Sequence, residues 1–138
     1  GYEPYAQQIA RFYKGNLNVL EEVINILFYI AESDGKVSFE ETKMIENIAY
    51  IFGLSETQYN SIKESRKSSD KLNPYMVLES SPNDDLQTIR KRYLKLSKEH
   101  HPDLLLSKGV PEEVIEESKK TMRAINSAWD QVQKLNKN

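Results

Sequence analysis

Few side chains in this sequence are equipped for covalent chemistry. There is no cysteine, which removes thiol nucleophiles, thiolate metal sites and disulfides together. No serine sits in a nucleophile motif, so a His–Asp pair would have nothing to activate. The only two histidines, His100 and His101, are adjacent. Neighbouring side chains diverge and no third ligand lies near in sequence, so no metal centre is expected there. Asp34-Gly35 with Glu40 and Glu41 has a trace of a calcium loop, but the alternating ligands at its first, third and fifth positions are missing. A turn followed by a helix cap accounts for those four residues. What remains is a basic cluster, Arg90, Lys91, Arg92, Lys95 and Lys98, with no acid between its first and last members, shortly before His101-Pro102-Asp103. Cations in that density normally form a solvated face, suited to electrostatic attraction and not to bond-making. Neither enzyme activity nor a cofactor is expected.

The basic cluster needs a helix to give it a face. At 100° per residue, Ile89, Tyr93, Leu96 and His100 fall within about 60° of one another, and Lys91, Lys95 and Lys98 lie opposite. Asn83 or Ser81 is the expected cap, with Asp84 and Asp85 in the first turn at the positive end of the dipole. Pro102 is expected to stop the helix. Beyond a connecting loop, Pro111 suits the first position of a long final helix, followed by Glu112, Glu113, Glu116 and Glu117. Its stripe is Ile115, Met122, Ile125, Trp129 and Val132. Two amphipathic helices so joined predict an antiparallel hairpin. A short helical turn, Pro74 to Leu78, precedes them.

The first half reads as a small helical bundle. Leu20, Val23, Ile24, Leu27 and Ala31 recur at helical spacing until Asp34-Gly35 interrupts them. Ser38 and Glu41 form a predicted capping box, as do Ser55 and Gln58. The stripe Ile45, Ile48, Ala49, Phe52 ends at Gly53, with Leu54 placed to close a Schellman-type end. Tyr2, Tyr5, Ile9, Phe12 and Tyr13 indicate an aromatic-rich helix ahead of these, its rings expected to pack.

With 138 residues, 38% hydrophobic and 29% charged, the chain is globular and has room for one ordinary or two small domains. Its net charge of −2 does not favour wholesale polyanion binding, so no nucleic-acid partner is expected. That balance hides a contrast between halves. Residues 1–70 carry 7 basic and 11 acidic side chains, and residues 71–138 carry 12 and 10. The polar stretch Ser68-Ser69-Asp70-Lys71-Leu72-Asn73-Pro74 marks the expected boundary, giving domains 1–70 and 71–138. No run approaches the roughly 20 apolar residues of a membrane span. A chain opening at Gly1 says nothing about an anchor in a longer parent.

The order of a short helix, a basic helix with Ile89-Arg90-Lys91-Arg92-Tyr93-Leu94-Lys95-Leu96, His101-Pro102-Asp103, and Ile125-Asn126-Ser127-Ala128-Trp129 resembles a J-domain, the module by which DnaJ-like co-chaperones engage DnaK-type chaperones. The resemblance covers roughly residues 72–136. Ile30-Ala31-Glu32-Ser33-Asp34-Gly35-Lys36-Val37-Ser38 with Glu40 and Glu41 resembles the motif of TerB-like (tellurite-resistance-type) domains. Together with the segment Leu104 to Val110 and the long last helix, this is similar to the DjlA type, whose members are membrane-anchored.

The resemblance implies an all-α fold and a co-chaperone function. Lys91, Lys95 and Lys98, flanked by Arg90 and Arg92, would dock on an acidic surface of the chaperone's ATPase domain. His101, Pro102 and Asp103 would stimulate ATP hydrolysis, so that the partner traps its client proteins. It also implies a cytoplasmic location, with the parent anchored to the inner membrane. There is no Gly/Phe-rich linker or cysteine-rich zinc module, so a complete DnaJ architecture is not implied. Departures from the pattern are Leu94 within the basic stretch, His100 at an aromatic position, and Leu104 and Leu105 after the triplet. Two alternatives follow from the residues. One is a scaffold with a degenerate J-domain, using Leu94, Leu104 and Leu105 as an assembly surface. The other is a nucleic-acid-binding module built on the basic helix, which predicts steep salt dependence.

Overall fold

A computed structural model describes residues 1–136 of the chain. Among the described residues there are eight helices and no strand, as an all-α reading requires. The helices group into two compact units that divide between Tyr59 and Asn60.

The first unit contains α1 (Glu3–Phe12), α2 (Leu17–Glu32) and α3 (Phe39–Ile51). Local chemistry sets the ends of α3. Ser38 Oγ accepts from the Glu41 amide at 3.0 Å, and Glu41 Oε1 accepts from the Ser38 amide at 3.0 Å, so both halves of the expected capping box form. At the other end, Leu54 N–H reaches the Ala49 carbonyl and Gly53 N–H the Tyr50 carbonyl. Gly53 takes φ +86°, the left-handed conformation on which such a Schellman end depends. Helix α3 packs against both α1 and α2. Its buried Ile45, Ile48 and Ala49 accompany Leu20, Ile24 and Phe28 of α2 and Ala6 of α1. Tyr2 Oη accepts from Asn47 Nδ2 at 2.7 Å.

The aromatic residues of α1 differ from expectation. Tyr5 is 70% and Phe12 79% exposed, so these rings are not core. Burial of α1 falls on its small Ala6 instead, because a ten-residue helix lying on α3 covers only one narrow stripe. Helix α2 also buries a polar set the apolar periodicity did not reveal: Asn18, Glu21, Glu22 and Asn25, with Asn25 Nδ2 donating to Glu22 Oε1 at 2.9 Å.

The division between units falls inside α4 (Glu56–Ser65), whose start carries the predicted Ser55–Gln58 box. From Asn60 onward the chain belongs to the second unit, with α5 (Pro74–Val77), α6 (Leu86–Glu99), α7 (Pro102–Ser107) and α8 (Glu112–Leu135). Its core gathers Leu72, Val77, Leu78, Ile89, Leu96, Ile125, Ala128 and Val132. Helices α6 and α8 form the expected antiparallel hairpin, with the Tyr93 and Trp129 rings stacked at 5.1 Å and 10°. Tyr93 Oη and Asn126 Oδ1 lie 3.0 Å apart. Polar ties fix the last turn of α4 to this core. Ser61 Oγ donates to the Val77 carbonyl at 2.6 Å, and Glu64 Oε2 accepts from the Asn73 amide at 2.7 Å. Arg66 lies 3.6 Å from the buried Glu117 carboxylate.

Three local expectations need correction. Asp85 itself caps α6, accepting from the Thr88 amide at 2.7 Å, so neither Asp84 nor Asp85 lies within the first turn. Pro102 ends α6 but also opens α7, since its fixed φ suits a first helical position as well as it breaks a continuing one; the connection is thus part helix. Pro111 stands at the cap of α8, one residue before its start. No helix among the described residues is long and apolar enough to cross a membrane.

Candidate chaperone-docking site

The site is the outward side of α6 together with the turn into α7. Burial of Ile89, Leu96 and His100 fixes the rotation of α6 and leaves Arg90, Lys91, Lys95 and Lys98 exposed. Lys95 makes only a distant pair with Glu99, at 3.9 Å, with its side chain 75% exposed. An exposed pair of that length holds the ammonium weakly. Four cations therefore stand on one side of a rigid helix.

Arg92 occupies a different position. Its Nη1 donates to Asp84 Oδ2 at 2.6 Å and to Ser80 Oγ at 3.2 Å, which ties α6 to the segment before it. Asp84 also accepts from the Ser81 amide at 2.9 Å. That bond first, and Arg92 second, hold the Asp84 carboxyl below its ordinary range. Asp85 is likewise lowered by the Thr88 amide it caps.

The triplet is set by the same local geometry. His100 is buried and closes α6, its amide bonded to the Leu96 carbonyl at 3.0 Å. His101 follows with extended backbone and caps α7, its Nδ1 accepting from the Asp103 amide at 3.1 Å. Pro102 is half-buried in the first turn. The Asp103 side chain is 89% exposed, and its Oδ2 lies 3.9 Å from His101 Nδ1. The structure thus presents an exposed carboxylate and an imidazole at the end of the cationic helix, on a loop whose backbone a proline restricts.

Leu105, expected on an assembly surface in the scaffold alternative, is fully buried. It anchors α7, which packs on α8. Leu104 is half-buried, while Leu94 and Leu106 are 45% and 66% exposed. Sequence reasoning missed this anchoring role; the helical spacing of Leu105 from Pro102 was the available signal once α7 is recognised as a helix.

With that geometry in hand, comparison with known proteins gives a consistent answer. The family model for the DnaJ domain matches residues 73–137, and the model described as tellurite resistance protein TerB matches residues 1–64. The chain is a TerB domain followed by a J-domain. Proteins named co-chaperone protein DjlA are its relatives across most of its length. The one from Vibrio parahaemolyticus is 30% identical over 122 residues, covering 80% of this chain and 43% of that protein. The one from Photorhabdus laumondii is 30% identical over 131 residues, covering 91% and 47%. That of Escherichia coli K12 is 31% identical over 126 residues, covering 88% and 46%. The chain thus spans under half the length of these curated relatives. No solved structure matches it.

Proposed function

We propose that this chain is a co-chaperone module that docks on a DnaK-type ATPase chaperone through α6 and stimulates its ATP hydrolysis through His101, Pro102 and Asp103. The observation that carries the reading is the arrangement of the triplet. Asp103 is almost wholly exposed at the end of a helix whose opposite-to-core side bears Arg90, Lys91, Lys95 and Lys98. Exposed surface cations govern encounter rate and salt sensitivity. Asp103 is a compact acceptor able to take an arginine of the partner in a two-pronged, charge-assisted contact. Arg92 contributes indirectly, by holding the start of α6 through Asp84.

The bond-breaking chemistry belongs to the partner, so this chain is an activator and not an enzyme. Client proteins are engaged through the chaperone. In this reading residues 1–70 are the TerB domain and 71–138 the J-domain, with Leu72 already in the second core. The same reading carries a cytoplasmic location, with the parent protein held at the inner membrane.

The test is single-turnover ATP hydrolysis by a DnaK-type chaperone with and without the chain, alongside Asp103→Asn. Stimulation that disappears in the variant supports the reading. Absence of stimulation at low salt, with the fold verified and several such chaperones tried, removes it.

A further inference from the structure

Leu94 is an apolar side chain in the middle of a cationic face. At 100° per residue it lies between Arg90 and Lys98 one turn to either side, with Lys91 next to it and Lys95 further round the helix. All four cations are exposed, and Leu94 itself is 45% exposed. It takes no part in the core of the second unit, which gathers the residues on the other side of α6. The fold therefore gains little from a leucine here, and a polar residue would serve the isolated helix as well.

We propose that Leu94 is a specificity-determining contact residue of the docking face, seated against an apolar side chain at the centre of an acidic surface on the DnaK-type partner. The proposal rests on the docking reading above. It adds that the contact has two parts: a charged rim of Arg90, Lys91, Lys95 and Lys98, and a small dry centre at Leu94. Charge complementarity identifies the occupant. A leucine with four cations on the same exposed side is matched by a protein surface with carboxylates beside an apolar side chain, whereas a second copy of this face would bring like charges together. Rim charges set the rate of association, and the desolvated centre sets how long the complex lasts.

Leu94→Gln and Leu94→Lys in the full chain separate this from a purely electrostatic face, since neither substitution opens a cavity. Binding to the ATP-bound DnaK-type chaperone is measured at low and at physiological salt, with Lys95→Gln as a reference and a thermal melt confirming each fold. Removing the exposed apolar area of Leu94 should weaken binding about fivefold, mainly through faster dissociation and at both salt concentrations. Leu94→Lys should also bind more weakly, despite its added charge, and with steeper salt dependence. Tighter binding of Leu94→Lys together with unchanged Leu94→Gln, while Lys95→Gln is weakened, would overturn the apolar centre and leave the docking reading standing. Binding to DNA in preference to the chaperone, or chaperone binding unaffected by Lys95→Gln as well, would overturn both.

Discussion

Leu105→Ala tests how the triplet is held in place. Leu105 has no exposed surface and lies on α7, only two residues beyond Asp103. Truncation to alanine removes about three methylene equivalents, worth roughly 2.4 kcal/mol in transfer free energy. The residual cavity raises the total to about 3–4 kcal/mol. A unit of this size has a stability of roughly 5–10 kcal/mol, so the variant folds with a small margin. Each kcal/mol lowers Tm by about 4–8 °C in a domain this small, which gives a fall of about 12–32 °C. Trp129 is the single tryptophan and is stacked on Tyr93 in the second unit; its fluorescence follows melting of that unit separately from the first. Below the transition, stimulation of ATP hydrolysis should fall further than docking affinity, because α6 keeps its cations while α7 loses its anchor. Leu105→Met, which conserves volume, should cost under about 1.5 kcal/mol. A Tm change below about 3 °C for Leu105→Ala would refute the reasoning and return Leu105 to the surface role that the scaffold alternative gave it.

Gly53→Ala should destabilise the first unit by about 1 kcal/mol, read by calorimetry, because a Cβ there meets open space and the cost is the left-handed backbone alone. Ser61→Ala should cost the second unit about 1–2 kcal/mol in a denaturant melt followed by Trp129, since it leaves a buried carbonyl at the end of α5 without its hydroxyl donor. Glu41, Asp84 and Asp85 all have lowered folded values. The stability they contribute is present in full above the unfolded carboxylate range and fades as pH falls through the folded values, below about pH 4. Asp85→Asn and Ser38→Ala should flatten that acid limb of a stability–pH curve. The Tyr59 phenol, pushed up to about 12 by burial and then by Glu46, should ionise well after the exposed tyrosines in an ultraviolet titration.

What could be read from the sequence was what short-range chemistry decides. Both capping boxes and the Gly53 end involve residues within five positions of one another, so their spacing alone specified them. The rotation of α6 was equally legible, because one apolar stripe and one cationic stripe admit a single orientation in a folded unit. Choices among equivalent local partners were not. Ser81, Asn83 and Asp85 are all cap-forming types; Asn83 or Ser81 was the expected cap, yet Asp85 takes it, while Asp84 is held by the Ser81 amide and by Arg92, eight residues beyond it. Pro102 carries two opposite signals, and only the burial of Leu105 against the rest of the second unit shows that it opens a helix. The attachment of α4 and the residue after it to the second core depends on Ser61, Glu64 and Arg66 finding Val77, Asn73 and Glu117. Polar side chains at such separations leave no periodicity to detect.

The cap made by His101 determines what its imidazole offers to a partner. A backbone amide can only donate, so the Nδ1 atom that receives the Asp103 N–H offers its lone pair there, which leaves Nε2 as the donor of a neutral ring. In the proposed docking the ring would offer Nε2 as a donor, beside a carboxylate that accepts. The pair reads as one directional polar signature, donor then acceptor, and a surface offering the reverse order would find no match.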